Sequence, residues 1–291
     1  MKRLVSIVIP AFNRGFVISA ALESILNQTY QDWEALVVND GSTDDTSEVV
    51  KGYMRKDSRI RLIEQDRQRG AQAARNIGIR NALGMWIAFL DSDDRWLPHS
   101  LEARLKLTQE GLHHVVHSDC YIQSSGSNEL ELFGVPPMQG QIYKELLQRP
   151  GPMFQGLLVS KEALSRIGLL DEKIVSYQEW DTAIRFGKHY EFGFVLEPTF
   201  LYDCRHAGTI SKDLLRVAVG YEQVFTKHFW SVFRFLGLNA LAWHYQTAAG
   251  LYSQAGDENN AHRCLRRASL FSHLRPRTTL SRVQRLIRSG L

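Results

Sequence analysis

Four short apolar runs, each ending in a polar cluster and separated by helical patterns, constrain this chain most. They are LVSIVI (4–9), WEALVVND (33–40), IRLIEQ (60–65) and MWIAFL (85–90). Short runs rich in Val, Ile and Leu read as strands buried on both faces. Between the first two, Val17, Ile18, Ala21, Leu22, Ile25 and Leu26 share one helical face. GSTDDTSEVVKGYM (41–54) opens a second helix, with Thr43 as the expected cap and Asp44 and Asp45 at its positive end. GAQAARNIGIRNA (70–82) supplies a third. Strands alternating with helices at this spacing predict an α/β fold with a mostly parallel sheet and right-handed crossovers. Such a sheet brings the loops after its strands to one edge, where ligands bind. The polar clusters Ala11–Arg14, Asp40–Ser42, Asp66–Gly70 and Asp91–Asp94 all fall at that edge.

Further on, HHVVHSDCYI (113–122), MFQGLLVS (153–160) and FGFVLEPTFLY (192–202) read as strands, and residues 123–152 as a loop or flap. The pattern from Glu179 to Lys188 is a short helix, and from Lys212 onward it is helical. Tyr245–His273 reads as a helical hairpin turning at Gly256-Asp257. Met1–Phe12 has Lys2 and Arg3 before an apolar run. That run is short and ends in Pro-Ala-Phe-Asn, so it reads as a first strand, not a signal peptide. No apolar stretch reaches the ~18 residues of a membrane span. Cys120, Cys204 and Cys264 are an odd, widely spaced set, which argues against a disulfide framework or a zinc site and for a reducing compartment.

A net charge of +4 is too small to imply nucleic acid as a partner, but its distribution is uneven. From Asn259 to Leu291 there is no acidic residue and there are eight arginines, so residues 1–258 are net negative. This basic tail, with Leu280, Val283, Leu286 and Ile287 interleaved, reads as a peripheral contact with an anionic membrane over residues 278–291.

Asp91-Ser92-Asp93-Asp94 carries the sharpest chemistry. Three carboxylates in four residues repel one another unless a counter-charge is present, and oxygen ligands suit Mg²⁺ or Mn²⁺. An isolated acidic triplet is ordinarily a solvated turn; its place after a strand favours a site. Asp40, followed by Gly41-Ser42, is a carboxylate able to accept a hydrogen bond from a base N–H, left free if Ser42 or Thr43 caps the helix. No G-x-G and no P-loop Gly-Lys-Ser/Thr occurs, which excludes dinucleotide oxidoreductases and P-loop enzymes. Only Gly15 follows the first strand, too little for a pyrophosphorylase phosphate loop.

In this order, SIVIPAFNR, VVNDGSTDDT, RGAQAARNIGI, FLDSDD, GLLDE and QEWD resemble the family 2 glycosyltransferases over roughly residues 3–210. The resemblance implies a GT-A (Rossmann-like nucleotide-diphospho-sugar transferase) fold in residues 1–210, with a nucleotide-binding half of about 1–95 and an acceptor half of about 96–210. Residues 211–291 then form a C-terminal helical extension. It implies that Pro10, Ala11, Phe12 and Arg14 line the nucleotide pocket, Phe12 standing where a tyrosine is frequent. Asp40 corresponds to the aspartate that reads the base, and Arg75 to an arginine reaching base or phosphate. Asp91, with Ser92, matches the donor side of the DxD motif, Asp93 the metal ligand, and Asp94 a residue near donor or acceptor. Glu179 takes the position of the catalytic base, with Asp181 as the alternative, and Trp180 is expected to shape the acceptor pocket. His206 resembles a histidine completing the metal site, while Cys204 and Trp86 read as packing residues.

The implied activity is transfer of a sugar from a nucleotide-sugar, UDP-linked by resemblance, to a glycan, lipid-linked or other hydroxyl acceptor, with Mn²⁺ or Mg²⁺ as cofactor. One base suits single displacement with inversion. The expected location is the cytoplasm, at the inner face of a membrane where the tail makes contact. The competing class is a non-catalytic nucleotide-sugar-binding relative that scaffolds polysaccharide assembly.

Overall fold

The structure, a computed structural model, describes residues 3–108, 113–123, 129–134, 137–204 and 213–273. It divides into two compact units. The first comprises Met1–Ile142, Gly151–Glu172 and Thr182–His206; the second comprises Tyr143–Pro150, Lys173–Asp181 and Ala207–Leu291.

The first unit is built on one sheet. β1 (Val5–Ala11), β2 (Trp33–Asn39), β3 (Ile60–Glu64) and β4 (Trp86–Phe89) are the four predicted strands. They pair in parallel in the order β3-β2-β1-β4. Every residue of β1 and β2 is buried, as two-sided coverage of a parallel sheet requires. The crossovers are α1 (Ile18–Leu26), α2 (Thr46–Lys56) and α3 (Ala71–Asn81). α1 turns Ile18, Ala21, Leu22 and Ile25 inward, the face read from the sequence. α3 lies so close to β1 that a Cβ on Gly78 would collide with the Val8 side chain.

β5 (Arg95–Trp96) follows the acidic stretch, and α4 (Ser100–Lys106) follows β5. The sheet is then extended by β6 (Val115–Gln123), β8 (Leu158–Ser160) and β9 (Phe192–Asp203), giving β3-β2-β1-β4-β8-β6-β9-β5. β7 (Leu130–Leu132) pairs with β6 outside that path. β8 runs antiparallel to both β4 and β6, β9 parallel to β6, and β5 antiparallel to β9. Residues 153–160 are therefore not one strand: Phe154–Gly156 form a 3-10 turn ahead of the three-residue β8. Its cause is Gln155, whose backbone carbonyl is claimed by Trp96 Nε1 at 2.9 Å and Arg104 at 3.2 Å instead of a neighbouring strand. α6 (Lys161–Arg166) completes this part, capped by Ser160, whose hydroxyl accepts from Ala163 N.

The second unit is helical. It holds α5 (Tyr143–Leu146), α8 (Leu214–Lys227), α9 (Phe229–Leu236), α10 (Leu238–Gln254) and α11 (Glu258–His273). α10 and α11 are the predicted hairpin, and Gly256 occupies its turn at φ 77°. α7 (Gln178–Gly187) belongs to the second unit through Asp181 and to the first from Thr182. Among the described residues no helix is long and apolar enough to cross a membrane.

Candidate active site

The parallel register aligns the ends of the first strands. Asp40 N donates to Ala11 O at 2.8 Å, Gln65 N to Asn39 O at 2.9 Å, and Leu90 N to Val8 O at 3.1 Å. Each strand therefore releases its chain at the same rim, where the polar clusters lie.

The loop after β1 is tied to the start of α2. Ser42 Oγ accepts from Asn13 N at 2.9 Å, Arg14 N donates to Thr46 Oγ1 at 2.8 Å, and Gly15 N donates to Asp44 Oδ2 at 3.0 Å. The expected Thr43 cap is corrected: α2 begins at Thr46, and Asp44 accepts from Thr46 N at 3.1 Å. Thr43 N instead donates to Asn13 Oδ1 at 2.9 Å. The two-carbon carboxylate of Asp44 reaches both the helix start and Gly15, which a threonine hydroxyl at 43 does not. Of the expected nucleotide-lining residues, Pro10 and Ala11 are buried at the end of β1, while Phe12 and Arg14 are half-buried.

Asp40 is 3% exposed and is not left free, as the sequence suggested. Its two oxygens accept from Arg69 N at 2.9 Å and Gly70 N at 2.7 Å, so it clasps the turn before α3. Gly41 makes the approach feasible: at φ 76°, a Cβ there would lie 2.8 Å from the Arg67 backbone. Beyond that clasp, α3 presents Gln72 and Arg75, both almost fully buried. Arg75 pairs with Asp91 Oδ1, donates to Gln72 Oε1 at 3.0 Å, and lies over the Phe154 ring at 4.4 Å. Arg75 Nε and Gln72 Nε2 are buried without hydrogen-bond partners. Two orphaned donors at a rim of this kind are the signature of a site completed by a polar ligand.

The acidic stretch makes a turn in which Asp94 N donates to Asp91 O at 3.1 Å. Gln155 Nε2 bridges two of its carboxylates, Asp91 Oδ2 at 2.9 Å and Asp94 Oδ2 at 2.5 Å. Asp94 Oδ1 accepts from Asp203 N at 2.9 Å. Ser92 is buried, Asp93 is half-buried, and Arg14 Nε approaches Asp93 Oδ2 at 3.9 Å. Burial, followed by the charges of Asp91 and Asp93, pushes the Asp94 carboxyl well above the ordinary aspartate range, outweighing the hydrogen bonds from Asp203 and Gln155.

Gln155 is the residue that sequence reasoning missed. Its signal was a lone amide within the apolar run MFQGLLVS. Its support is stiff: Arg104, fully buried, stacks on Trp96 at 4.4 Å and holds the carbonyls of Gln155 and Leu157.

A hard divalent cation suits this oxygen-rich donor set. Among the described residues, no group of three His, Cys, Asp or Glu side chains could by itself hold a metal. His206 lies outside the described residues.

Glu179, Trp180 and Asp181 open α7 in the second unit. Glu179 is half-buried. Trp180 has 0% exposure, donates from Nε1 to Leu146 O at 2.6 Å, and packs against Tyr177, Tyr221 and His244. Trp180 thus has no exposed indole surface and packs beside the Glu179 position. Asp181, 1% exposed, is engaged by Lys227 and His228, each at 2.8 Å. That arrangement holds its charge in place and suits it poorly to proton transfer. Cys204 is partly exposed, in place of the expected burial, and Trp86 is half-buried against the core.

Comparison with known proteins agrees with this architecture. Residues 6–168 match the family described as Glycosyl transferase family 2, and the chain belongs to that family. Over 175 residues it is 34% identical to an uncharacterized glycosyltransferase of Rickettsia bellii, covering 60% of this chain and 25% of that protein. Over 104 residues it is 44% identical to UDP-Glc:alpha-D-GlcNAc-diphosphoundecaprenol beta-1,3-glucosyltransferase WfgD of Escherichia coli, covering 36% of this chain and 40% of that protein. The chain thus matches only a quarter to two fifths of the length of these relatives. Among solved structures, TarS of S. aureus in complex with UDP-GlcNAc aligns with TM-score 0.63 at 16% identity, over 91% of this chain and 90% of that one. Mannosyltransferase PcManGT of Pyrobaculum calidifontis, in complex with GDP-Man and Mn²⁺, aligns with TM-score 0.64 at 18% identity, over 99% of this chain and 79% of that one. These likenesses establish a mixed α/β GT-A fold with a helical C-terminal region.

Proposed function

We propose that this chain is an inverting glycosyltransferase that moves a sugar from a UDP-linked donor to a glycan or lipid-linked hydroxyl. The observation that carries the reading is the Asp91–Asp94 turn at the sheet rim, beside which Gln72 Nε2 and Arg75 Nε are buried without hydrogen-bond partners. The E. coli relative is named for a UDP-Glc donor and a diphosphoundecaprenol-linked acceptor, and the PcManGT structure contains Mn²⁺, which supports the same chemistry here.

Asp93, with His206, would hold Mn²⁺ or Mg²⁺, which supplies charge neutralisation to the departing diphosphate. Pro10, Ala11, Phe12 and Arg14 line the nucleotide position, and Asp40 with Arg75 reads base or phosphate. Arg75 also orients Asp91 toward the donor through their ion pair, beside Ser92. Asp94 is the buried anchor that fixes the turn near donor and acceptor. The acceptor oxygen attacks the anomeric carbon as the bond to the diphosphate breaks, and Glu179 takes the acceptor proton. Its assignment over Asp181 rests on motif position and on the two partners already holding Asp181. We place the work at the inner face of a membrane, in contact through the arginine-rich C-terminus, with residues 1–210 as the catalytic domain and 211–291 as the helical extension.

The test is release of nucleoside diphosphate from UDP-sugars by the full-length protein with Mn²⁺, without acceptor. Metal-dependent release that Asp93→Ala lowers ~10²- to 10³-fold, with melting temperature retained, is the expected result. A protein that binds a UDP-sugar with Mn²⁺ yet releases and transfers nothing is a non-catalytic scaffold.

A further inference from the structure

Three carboxylates within four residues stay together only where their mutual repulsion is answered. For the two ends of the Asp91–Asp94 turn, the protein's own answers can be followed oxygen by oxygen. Asp91 Oδ1 pairs with Arg75. Asp91 Oδ2 and Asp94 Oδ2 share one donor, Gln155 Nε2, at 2.9 and 2.5 Å. Asp94 Oδ1 accepts from Asp203 N at 2.9 Å. An amide nitrogen carries two hydrogens, and here each goes to a different carboxylate. Of these partners, only Gln155 touches both aspartates.

The amide is also held from behind. Trp96, two residues past the turn, donates from Nε1 to Gln155 O at 2.9 Å. The chain leaving the turn therefore grips the residue that grips the turn. Arg104 holds the same carbonyl at 3.2 Å and Leu157 O at 3.1 Å, and its other donors go to Ser100 O and Ser100 Oγ. Among the described residues no carboxylate pairs with this fully buried guanidinium, and burial lowers it to about 9. A buried cation without a counter-ion is costly, and a neutral donor would fix a carbonyl without that penalty. The support is concentrated on the backbone of one glutamine whose side chain ends on the acidic turn. Its neutrality suits the place. A lysine or arginine there would cancel charge that a divalent cation needs, whereas an amide bridges two carboxylates and leaves their charge intact.

We propose that Gln155 is a positioning residue for the donor: its amide clamps Asp91 to Asp94 and keeps the turn in the shape that receives a divalent cation and the diphosphate it accompanies. The clamp rests on the glycosyltransferase reading above, and it acts through the two aspartates, not on the reacting atoms.

The experiment compares the full-length protein with its Gln155→Met variant, which keeps the side-chain length and the backbone carbonyl but has no side-chain N–H. UDP binding is followed by calorimetry across a Mn²⁺ series. The expected result is a Kd for UDP raised about tenfold or more at low Mn²⁺, from the loss of hydrogen bonds to charged groups. Most of the loss should be recovered at saturating Mn²⁺, because the cation draws together carboxylates that the amide no longer bridges. A packing defect does not respond to metal in this way. A double-mutant cycle with Asp94→Asn, read as the urea midpoint without ligand, decides the matter if Gln155→Met binds no UDP at all. With one like charge removed, Gln155→Met should lower stability less than it does with Asp94 in place. Three results overturn the proposal: UDP binding and Mn²⁺ dependence unchanged in Gln155→Met, a weakening of the same size at every Mn²⁺ concentration, or a cycle without coupling. Unsubstituted protein that binds no UDP with Mn²⁺ refutes the glycosyltransferase reading instead, and the cycle then decides the clamp alone.

Discussion

Glu222 in the helical unit and Asp94 at the sheet rim are both buried carboxylates, and burial pushes both carboxyl groups upward. Around Glu222, Arg263 donates through both terminal nitrogens at 2.7 and 2.6 Å, Tyr252 adds a hydrogen bond at 2.8 Å, and Arg267 lies 3.6 Å away. These partners outweigh burial and hold Glu222 below the ordinary range. Around Asp94 the nearest charges are Asp91 and Asp93, which add to burial. The cations around Glu222 come from its own unit, while the charges that act on Asp94 are like ones. The sign of the neighbouring charges, more than burial, separates the two carboxylates.

That contrast can be broken by substitutions that should cost activity in one class and stability in the other. The largest effect is expected for Glu179→Ala: transfer should fall ~10²- to 10⁴-fold in kcat while donor binding by thermal shift persists. Unchanged kinetics would remove Glu179 as the base. Asp93→Ala should spare the melting temperature and abolish the Mn²⁺-induced shift with a UDP-sugar. Glu222→Gln should do the reverse, lowering unfolding free energy by about 2 kcal/mol in urea titration, reduced from a fully buried pair because Arg263 is a third exposed. Activity per folded molecule should be retained. Gly78→Ala should cost about 1 kcal/mol or more by forcing α3 off Val8, and should weaken donor binding through the Arg75 that α3 carries.

The smallest effect is a pH slope. Burial lowers His244 to about 4, with Nδ1 at Tyr221 and Nε2 at Leu147 O both occupied. A histidine whose folded value is depressed contributes stability above its unfolded value near 6.5, lost as pH falls toward 4. Glu222 acts in the same sense at lower pH, since its folded value is also depressed. Melting curves between pH 7 and 4 should therefore decline, and His244→Gln should flatten part of the decline while lowering stability at neutral pH. A slope untouched by that substitution would leave it to the buried His117, also lowered to about 4.

The parallel half of the sheet was readable because burial on both faces writes uninterrupted apolar runs, and the helices between them keep strict periodicity. The α10–α11 hairpin was readable for the second reason. What failed depended on contacts distant in sequence. Asp40 looked free because Arg69 and Gly70, the amides it clasps, lie about thirty residues on. Gln155 left only a weak mark because its role comes from Asp91 and Asp94, more than sixty residues earlier. The full burial of Trp180 was not legible because its partners, Leu146 and His244, come from either side of it in the chain.

The acidic turn is held at both ends by strands distant in sequence. β4, before it, pairs with β1 about eighty residues earlier, and β5, after it, pairs with β9 about a hundred residues later. Pairings between segments this remote form late because their loops are entropically expensive to close. Asp91–Asp94 therefore takes its shape only when the chain on both sides has come together, so the rim is finished no earlier than the sheet that carries it.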